Sequence, residues 1–306
     1  MNHKLLSICI PTYNRSKYLK QCLESIVLQF EDKNVYEKVD VVISDNASTD
    51  NTTDVVKEFQ NRFSNIKYFK NRSNLGVDKN ILNIIEKSDT EYCLPIGDDD
   101  AFFNGSFKMI LEKIEKTKVP YYMLNSVGYD PELINPVLSH PNNDIAKDLT
   151  FEKLSEYVRS IKKYTNLVGG FCGLSHIVKK SFWMDFKDKE KYIGTNAIHF
   201  FIILSVFKNA KSIFLAEPVI KTRSSNIRWD VFSGLETTSG RIKGTIDGVK
   251  WIKEMYDLPI SNTKINLYFY TREYWFTLKE IMKRLLSRFG LGKIIIYYRK
   301  IRSMLN

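Results

Sequence analysis

The stretch Tyr92–Asp100 reads YCLPIGDDD, an apolar run that ends directly in carboxylates. The run Tyr92–Ile96 has the length of a buried strand and is too short for a helix. Three adjacent like charges at a strand end repel one another, and a hard divalent cation that prefers carboxylate oxygens removes this repulsion. Because Mg²⁺ held by one or two carboxylates usually keeps positions for substrate phosphates, the stretch favours an Mg²⁺- or Mn²⁺-bridged diphosphate over a closed metal cage. Taken alone, an acidic turn like this one is more often a solvated loop.

Three strand–loop–helix units precede this stretch. The short apolar runs Leu5–Ile10, Val39–Ile43 and Ile66–Phe69 are each predicted to form a strand. A helix is predicted after each run from apolar residues at helical spacing, and Asn14 or Ser16 is suited to cap the first helix. Short apolar strands that alternate with helices predict an α/β fold, with a parallel sheet covered on both faces.

Residues that could carry chemistry follow these strands. Tyr13, Asp45, Arg72 and Asp98 each come at the end of a predicted strand, although they are far apart in the sequence. Ligands of open α/β sheets bind outside the carboxyl ends of the strands, so the four residues are predicted to meet at one edge. No G-x-G-x-x-G follows the first strand and no G-x-x-x-x-G-K-[ST] occurs in the chain. The usual dinucleotide and P-loop sites are thereby excluded.

Four motifs occur in order: SICIPTYNR at 7–15, SDNASTD at 44–50, NLG at 74–76 and GDDD at 97–100. Together they resemble an inverting family 2 glycosyltransferase of the bacterial surface-polysaccharide type. The resemblance is good over about residues 4–125, weaker over 126–225 and absent beyond. It implies the GT-A fold, a Rossmann-like α/β domain with a mostly parallel sheet and helices on both faces. The implied division is a catalytic domain at 1–225, with a nucleotide-sugar half (1–125) and an acceptor half (126–225), and a basic helical extension at 226–306.

The resemblance also implies a donor site. Thr12 and Tyr13 would line the pocket of the nucleotide base, and Asp45 would accept a hydrogen bond from that base, which is uracil in the commonest donors. Arg72 lies where a basic residue could reach the base or a phosphate. The predicted donor-binding set from the same motifs is completed by Pro11, Asn14, Asn74, Gly76 and Asp98.

The aspartates at 98–100 match the D-x-D region of the family, which holds the donor ribose and the metal. The chain departs from the usual Asp-Ser-Asp-Asp, because Gly97 stands at the position of the first aspartate. Either Asp98 contacts the ribose and Asp99 binds the metal, or Asp98 and Asp100 form the spaced pair. Asp98, Asp99 and Asp100 are therefore all predicted ligands of Mn²⁺ or Mg²⁺.

The family's usual catalytic-base motif is missing from this chain. Inversion requires a carboxylate or imidazole that takes the proton of the acceptor hydroxyl as it attacks. The family usually supplies a Glu-Asp pair at a helix start, and the corresponding stretch here, 192–199, reads YIGTNAIH. His199 is the nearest candidate, with Asp185 and Glu190 before it. A lone histidine in so apolar a segment is more often a packed helix residue.

Composition agrees with a cytoplasmic enzyme. A chain of 306 residues with 43% hydrophobic content can bury a large core. The four cysteines, Cys9, Cys22, Cys93 and Cys172, lack C-x-x-C spacing and are predicted to be free thiols in a reducing compartment. A strand is predicted almost at the amino terminus, so no signal peptide is expected, and the longest apolar run is too short to cross a bilayer.

The net charge of +11 is concentrated near the carboxyl terminus. Lys and Arg outnumber Glu nine to two over Tyr270–Asn306. Within it, Leu278–Phe289 has apolar residues at helical spacing on one side and basic residues on the other. This helix could lie on an anionic membrane surface at the inner face of the cell membrane, or pack on the catalytic domain or on the second subunit of a homodimer. Nucleic acid is not an expected partner, because no binding motif accompanies the charge.

The sequence therefore predicts a metal-dependent inverting glycosyltransferase. It would move a sugar from a nucleotide-sugar donor, most often a UDP-sugar, to a glycan or lipid-linked glycan acceptor in the synthesis of cell-surface polysaccharide. A nucleotidyltransferase fits less well, because that class has a Gly-rich first loop and Pro11–Arg15 contains no glycine. The missing Glu-Asp pair keeps a third alternative open, a nucleotide-sugar-binding or membrane-scaffold protein without transfer activity.

Overall fold

The structure, a computed structural model of the chain, describes residues 4–138, 145–160, 174–223, 250–256 and 258. The chain divides into two compact units, Met1–Gly234 and Leu235–Asn306. All the strands and helices discussed below belong to the first unit. The predicted basic helix Leu278–Phe289 and Cys172 lie outside the described residues. Among the helices that are described, none combines the length and apolar character needed to cross a membrane.

The first four strands form where the apolar runs predict them. They are β1 (Leu6–Thr12), β2 (Val39–Asp45), β3 (Ile66–Lys70) and β4 (Tyr92–Pro95). They pair in parallel in the order β3-β2-β1-β4. The register pairs Thr12 with Asp45, so the carboxyl ends of β1 and β2 are level. Polar residues that follow different strands are thus brought to one edge of the sheet.

The helices cover this sheet with apolar faces. The described helices of the first unit are α1 (Ser16–Val27), α2 (Lys33–Lys38), α3 (Thr52–Gln60), α4 (Val77–Glu86), α5 (Ser106–Thr117), α6 (Leu154–Ser160), α7 (Lys180–Met184) and α8 (Ile198–Val206), with short 3₁₀ helices at Leu28–Glu31 and Lys189–Tyr192. Helix α1 buries the face that its spacing predicts, formed by Leu19, Cys22, Leu23 and Ile26. Cys9, Cys22 and Cys93 are free and buried, as predicted for these three.

The second half of the domain makes the sheet mixed. Its strands are β5 (Ala101–Phe102), β6 (Tyr121–Tyr129), β7 (Pro136–Leu138), β8 (Leu149–Phe151), β9 (His176–Lys179) and β10 (Ser212–Arg223). The full order is β3-β2-β1-β4-β9-β6-β10-β5, with β7 on β6 and β8 on β10. Strand β9 is antiparallel to both β4 and β6, so β6 and its parallel neighbour β10 run in the same direction as the first four strands. The carboxyl ends of β6 and β10 therefore face the same edge as those of β1–β4.

The start of α1 is capped differently from the prediction. Neither Asn14 nor Ser16 provides a side-chain cap, so that prediction is wrong. Instead, Asp50 reaches across from the next loop, and its Oδ2 accepts the main-chain N–H of Ser16 at 2.9 Å. Asn14 has a positive φ of 52° and accepts the main-chain N–H of Thr49 at 2.8 Å. The loops after β1 and β2 are thus joined directly.

Replacing Asp50 tests this cross-loop cap. Asp50→Ala removes the carboxylate that accepts the main-chain N–H groups of Ser16 and Thr52. Loss of a helix cap of this kind lowers the free energy of unfolding by about 1 kcal/mol. Burial raises the pKa of Asp50, but hydrogen bonds from Thr52 and Ser16 outweigh it and leave the pKa below its ordinary value. The carboxylate therefore stabilises the fold above about pH 4, and this contribution is lost as the pH falls through the lower folded-state pKa.

In urea unfolding, the midpoint of Asp50→Ala should be lower than that of wild type near neutral pH, and the difference between the two midpoints should become smaller in acid. Glu24→Ala, at an exposed position of α1, is the matched control and should change the midpoint little. An Asp50→Ala midpoint equal to that of wild type at neutral pH would contradict the cap.

Candidate active site

Asp98 is the buried centre of the acidic cluster at the edge of the sheet. It is 3% exposed, and its Oδ2 accepts a hydrogen bond from the Thr12 hydroxyl at 2.7 Å. Its Oδ1 lies 2.8 Å from the Arg15 guanidinium, which also contacts Asp99 Oδ2 at 3.1 Å. Arg15 of the first motif therefore forms ion pairs with two aspartates of the fourth motif, Asp98 and Asp99. Arg15 is in the first motif, but the sequence alone predicts no role for it.

Arg223 is a second arginine at the cluster, and it is not among the residues predicted from the sequence. It is the last residue of β10, and its main-chain N–H donates to Asp100 Oδ1 at 3.2 Å. Its side chain donates from Nε to the carbonyl oxygen of Asp99 at 2.9 Å and from Nη2 to Gln21 Oε1 at 2.7 Å. The guanidinium groups of Arg15 and Arg223 lie 5.5 and 4.9 Å from the centre of the Tyr18 ring. No sequence motif marks Arg223, because only the pairing of β10 with β6 and β5 brings it to this edge.

The pKa values of two aspartates in the cluster are raised, so their ionised forms are disfavoured here. Burial raises the pKa of Asp98 to about 6, although Arg15 opposes the shift. Burial raises the pKa of Asp100 to about 8, and the charge of Asp99 adds to that shift. A cation placed among these carboxylates would favour their ionised forms.

Side-chain oxygens of Asp99 and Asp100 both lie close to Gly97. A Cβ built on Gly97 would lie 3.0 Å from Asp99 Oδ1 and 3.2 Å from Asp100 Oδ2, so both oxygens border one point that a side chain would fill. Within the described ranges, no group of three His, Cys, Asp or Glu side chains is arranged to hold a metal. Oxygen donors of this kind nevertheless suit a hard divalent cation that takes its remaining ligands from water or phosphate.

Asp45 is more deeply placed than a loop residue would be. It is the last residue of β2 and is fully buried. Its Oδ1 accepts the main-chain N–H of Ser48 at 2.8 Å, and its Oδ2 accepts the Tyr68 hydroxyl at 2.5 Å. Lys70 Nζ lies 3.8 Å from Oδ2. Asp45 thus fixes the SDNASTD loop, whatever it contacts in a ligand.

A cluster of asparagines fixes the NLG loop. Asn46 donates from Nδ2 to Asn74 Oδ1 at 2.8 Å, and its Oδ1 accepts the main-chain N–H of Leu75 at 2.8 Å. Asn71 donates to the side-chain oxygens of Asn46 at 3.1 Å and of Asn80 at 3.0 Å. Gly76 has a φ of 80°, which glycine adopts without strain, and it immediately precedes α4. Asn74 and Gly76 therefore shape the edge of the sheet.

The other predicted donor-site residues lie along the same edge. Pro11 and Thr12 end β1, and half-buried Tyr13 and exposed Asn14 follow. Arg72 is exposed in the loop after β3.

The candidates for the catalytic base occupy different environments. His199 lies in the first turn of α8 and is 4% exposed. Asp185 is exposed at the end of α7, and Glu190 is exposed in the second 3₁₀ helix. His199 directly follows a turn whose main-chain N–H groups bond to α4, whereas the other two lie on the surface.

Sequence comparison identifies the family. The family described as "Glycosyl transferase family 2" matches residues 7–184, more than half of the chain. This chain belongs to glycosyl transferase family 2. The predicted family is therefore confirmed, and with it the enzyme class, glycosyltransferase.

Two relatives are bacterial enzymes. The abequosyltransferase RfbV of Salmonella typhimurium is 33% identical over 229 residues, which cover 72% of this chain and 67% of that protein. The GalNAc(5)-diNAcBac-PP-undecaprenol beta-1,3-glucosyltransferase of Campylobacter jejuni is 26% identical over 194 residues, 63% of this chain and 57% of that protein. The second alignment spans little more than half of that relative's own length.

Solved structures confirm the predicted GT-A fold. Staphylococcus aureus TarS 1-349 in complex with UDP-GlcNAc has a TM-score of 0.63 at 16% identity, covering 89% of this chain and 73% of that one. The mannosyltransferase PcManGT of Pyrobaculum calidifontis, in complex with GDP-Man and Mn²⁺, has a TM-score of 0.54 at 12% identity, covering 99% and 84%. At these identities the likeness concerns the fold.

Replacing Asp45 tests whether its buried hydrogen bonds stabilise the SDNASTD loop. Asp45→Ala leaves the Ser48 N–H and the Tyr68 hydroxyl without their acceptor, so we expect a loss of about 2 kcal/mol or more of unfolding free energy. Tyr68→Phe removes one of these bonds and should cost about 1 kcal/mol. In a double-mutant cycle by urea unfolding, the two changes should be non-additive because the residues share one hydrogen bond. Additive effects would show that this bond does not stabilise the loop.

Proposed function

We propose that the chain is a metal-dependent inverting glycosyltransferase that takes a sugar from a nucleotide donor, a UDP-sugar, and transfers it to a glycan or lipid-linked glycan acceptor of cell-surface polysaccharide. The observation that carries the proposal is the meeting of Thr12, Arg15 and Asp98 at the carboxyl edge of the sheet. Two relatives named for sugar transfer support it, as do fold neighbours determined with UDP-GlcNAc or with GDP-Man and Mn²⁺.

The proposal assigns the donor to residues 1–125 and the acceptor to 126–225. Thr12 and Tyr13 would border the base. Asp45, whose two oxygens already accept hydrogen bonds from Ser48 and Tyr68, would hold the SDNASTD loop against the base and would bind the base by exchanging one of these partners. Arg72, exposed beside this edge, would contact the base or a phosphate. The extension at 226–306 is proposed to contact an anionic membrane surface or a second subunit, and the support for this is the sequence pattern alone.

Arg15 is proposed to change partners when the donor binds. Its guanidinium now neutralises Asp98 and Asp99, and the planar guanidinium also matches phosphate oxygens in pairs. A diphosphate brings new negative charge to this edge and competes for the arginine. Arg223, held by Asp99 and Gln21, would keep the main chain of the cluster in place during this exchange.

The same aspartates fit a divalent cation. Asp99 and Asp100, which each place one oxygen close to Gly97, would hold Mn²⁺ or Mg²⁺, with Asp98 beside them. The bound cation would supply charge neutralisation for the diphosphate leaving group.

Transfer also needs a base on the acceptor side. We propose His199, whose imidazole would take the proton of the acceptor hydroxyl as its oxygen attacks the anomeric carbon and the donor diphosphate leaves. Asp185 and Glu190 are the alternative bases. Membership of family 2 removes the support for a nucleotidyltransferase. A nucleotide-sugar-binding protein without transfer activity is the remaining alternative, and turnover assays distinguish it.

Thermal unfolding with UDP tests the donor and metal sites together. UDP at about 100 times its Kd stabilises a protein by about 2.7 kcal/mol, so the melting temperature should rise with Mn²⁺ or Mg²⁺ and much less with EDTA. Asp99→Asn and Asp100→Asn should reduce the rise. Gly97→Ala should act in the same way, because its Cβ would press on both carboxylates.

Asp188→Asn is the matched control, since it removes an exposed carboxylate that pairs only with Lys191 among the salt bridges of the described residues. It should leave the UDP effect unchanged. An equal UDP shift with EDTA and with Mn²⁺ would eliminate the proposed metal bridge.

Turnover of the base variants tests the chemistry. In His199→Ala the rate should fall by about 10²–10⁴-fold while UDP binding is kept, because a base acts on the acceptor proton. Asp185→Asn and Glu190→Gln should have smaller effects. Full activity of all three variants would place the base elsewhere, and no transfer by the wild type with any nucleotide sugar tried would favour the binding-protein alternative.

A further inference from the structure

Asp78 makes an unusually complete set of long-range hydrogen bonds. It lies in the first turn of α4 and is 2% exposed. Its Oδ2 accepts the main-chain N–H groups of Gly194 at 2.7 Å and Asn196 at 2.8 Å. Its Oδ1 accepts the N–H of Ile198 at 3.0 Å. One buried carboxylate thus binds three alternate amides of a turn that is more than a hundred residues away in the sequence.

The turn is shaped to receive this carboxylate. Gly194 and Asn196 have positive φ angles of 94° and 56°, in the left-handed region where glycine and asparagine are the most tolerant residues. Alternating backbone conformations of this kind can direct successive N–H groups to one side, where they bind an anion. Ile198 is also the first residue of α8, and the preceding Ala197 gives no side-chain cap. Asp78 supplies the negative charge that the start of a helix favours.

The other end of this connection is the donor edge. Helix α4 follows Gly76, whose carbonyl oxygen accepts Asn46 Nδ2 at 3.3 Å. Asn80, one turn into α4, accepts the Ser44 hydroxyl at 2.6 Å and donates to the Ser44 carbonyl at 3.0 Å. Asp78 therefore lies at the start of a helix that is hydrogen-bonded to the carboxyl end of β2.

We propose that Asp78 is a positioning residue that holds the turn 194–198, and with it the start of α8 and His199, in register with the donor edge. Its importance for turnover rests on the function proposed above, whereas its contact with the turn does not. A shift of the turn moves the first residues of α8, and small displacements of a catalytic group cost much of its rate. Asp78 itself contacts neither the aspartate cluster nor the reacting atoms in this assignment.

Amide hydrogen exchange of the full chain tests the contact without any assay of activity. In Asp78→Asn, peptides covering 194–198 should exchange faster than in wild type, because a neutral amide cannot accept all three N–H groups as the carboxylate does. Asp54→Asn is the matched control, since Asp54 occupies the first turn of α3 but is exposed. It should leave exchange at 194–198 unchanged.

Kinetics test whether the contact matters for catalysis. Hydrolysis of UDP-glucose, UDP-N-acetylglucosamine and GDP-mannose serves as the probe reaction, with water in place of the acceptor. For the donor that the wild type turns over, Asp78→Asn should lower kcat by about tenfold or more and change KM by about twofold at most. A purely structural role would instead lower the melting temperature and reduce donor binding together with kcat.

Gly194→Ala provides a second route if Asp78→Asn folds poorly. A methyl group there meets no atom within 4 Å, so the strain comes only from the φ of 94°, and it acts on the same turn without touching α4. It should also raise exchange at 194–198 and lower kcat, and its effect on kcat should be non-additive with that of Asp78→Asn.

Unchanged exchange at 194–198 in Asp78→Asn overturns the contact, and faster exchange with unchanged kcat overturns the positioning role. Absence of hydrolysis by the wild type with all three donors, alongside faster exchange in the variant, would count against the proposed function and leave the contact standing.

Discussion

Burial of carboxylates at the carboxyl edge of a parallel sheet is the constraint on which this structure depends. A buried carboxylate is stable only when donors or cations replace the water that it loses. Asp45, Asp78 and Asp98 are each at most 3% exposed, and each takes at least one donor from a different strand, loop or helix. The need to satisfy each charge therefore joins segments that the chain would otherwise leave apart.

This accounts for the way the two halves of the domain are connected at the edge. Asp98 accepts hydrogen bonds from Thr12 and Arg15 of the first motif, and Asp100 accepts one from the main-chain N–H of Arg223 in the last strand. Asp78 accepts main-chain N–H groups of the turn before α8. Hydrogen bonds to charged groups are stronger than neutral ones, so the contacts of Asp98 with Thr12 and Arg15 fix this edge more firmly than an equal number of neutral bonds would. A site that must hold two substrates in fixed geometry benefits from that rigidity.

The sequence predicts the first half of the fold well because the decisive signals there are local. The predicted runs Leu5–Ile10, Val39–Ile43 and Tyr92–Ile96 coincide with β1, β2 and β4 to within two residues, and α1 buries the face that its spacing indicates. The remaining features depend on long-range pairing, which no local pattern reveals. Strand β9 lies antiparallel between β4 and β6, and Arg223 reaches the aspartates only because β10 pairs with β6. The cap of α1 was mispredicted for the same reason, since Asp50 comes from another loop and competes with the local Asn14 and Ser16.

Gly97 allows the acidic residues that follow it to lie close to the main chain. Any side chain at this position would place its Cβ 3.0 Å from Asp99 Oδ1 and 3.2 Å from Asp100 Oδ2. The glycine thus allows both carboxylates to fold back over the main chain. Asp98 is then free to turn inward, where Thr12 and Arg15 occupy its two oxygens. The three adjacent aspartates consequently differ in their surroundings. Asp98 binds Thr12 and Arg15, whereas Asp99 and Asp100 pair with Arg15 and Arg223 and each place one oxygen close to Gly97.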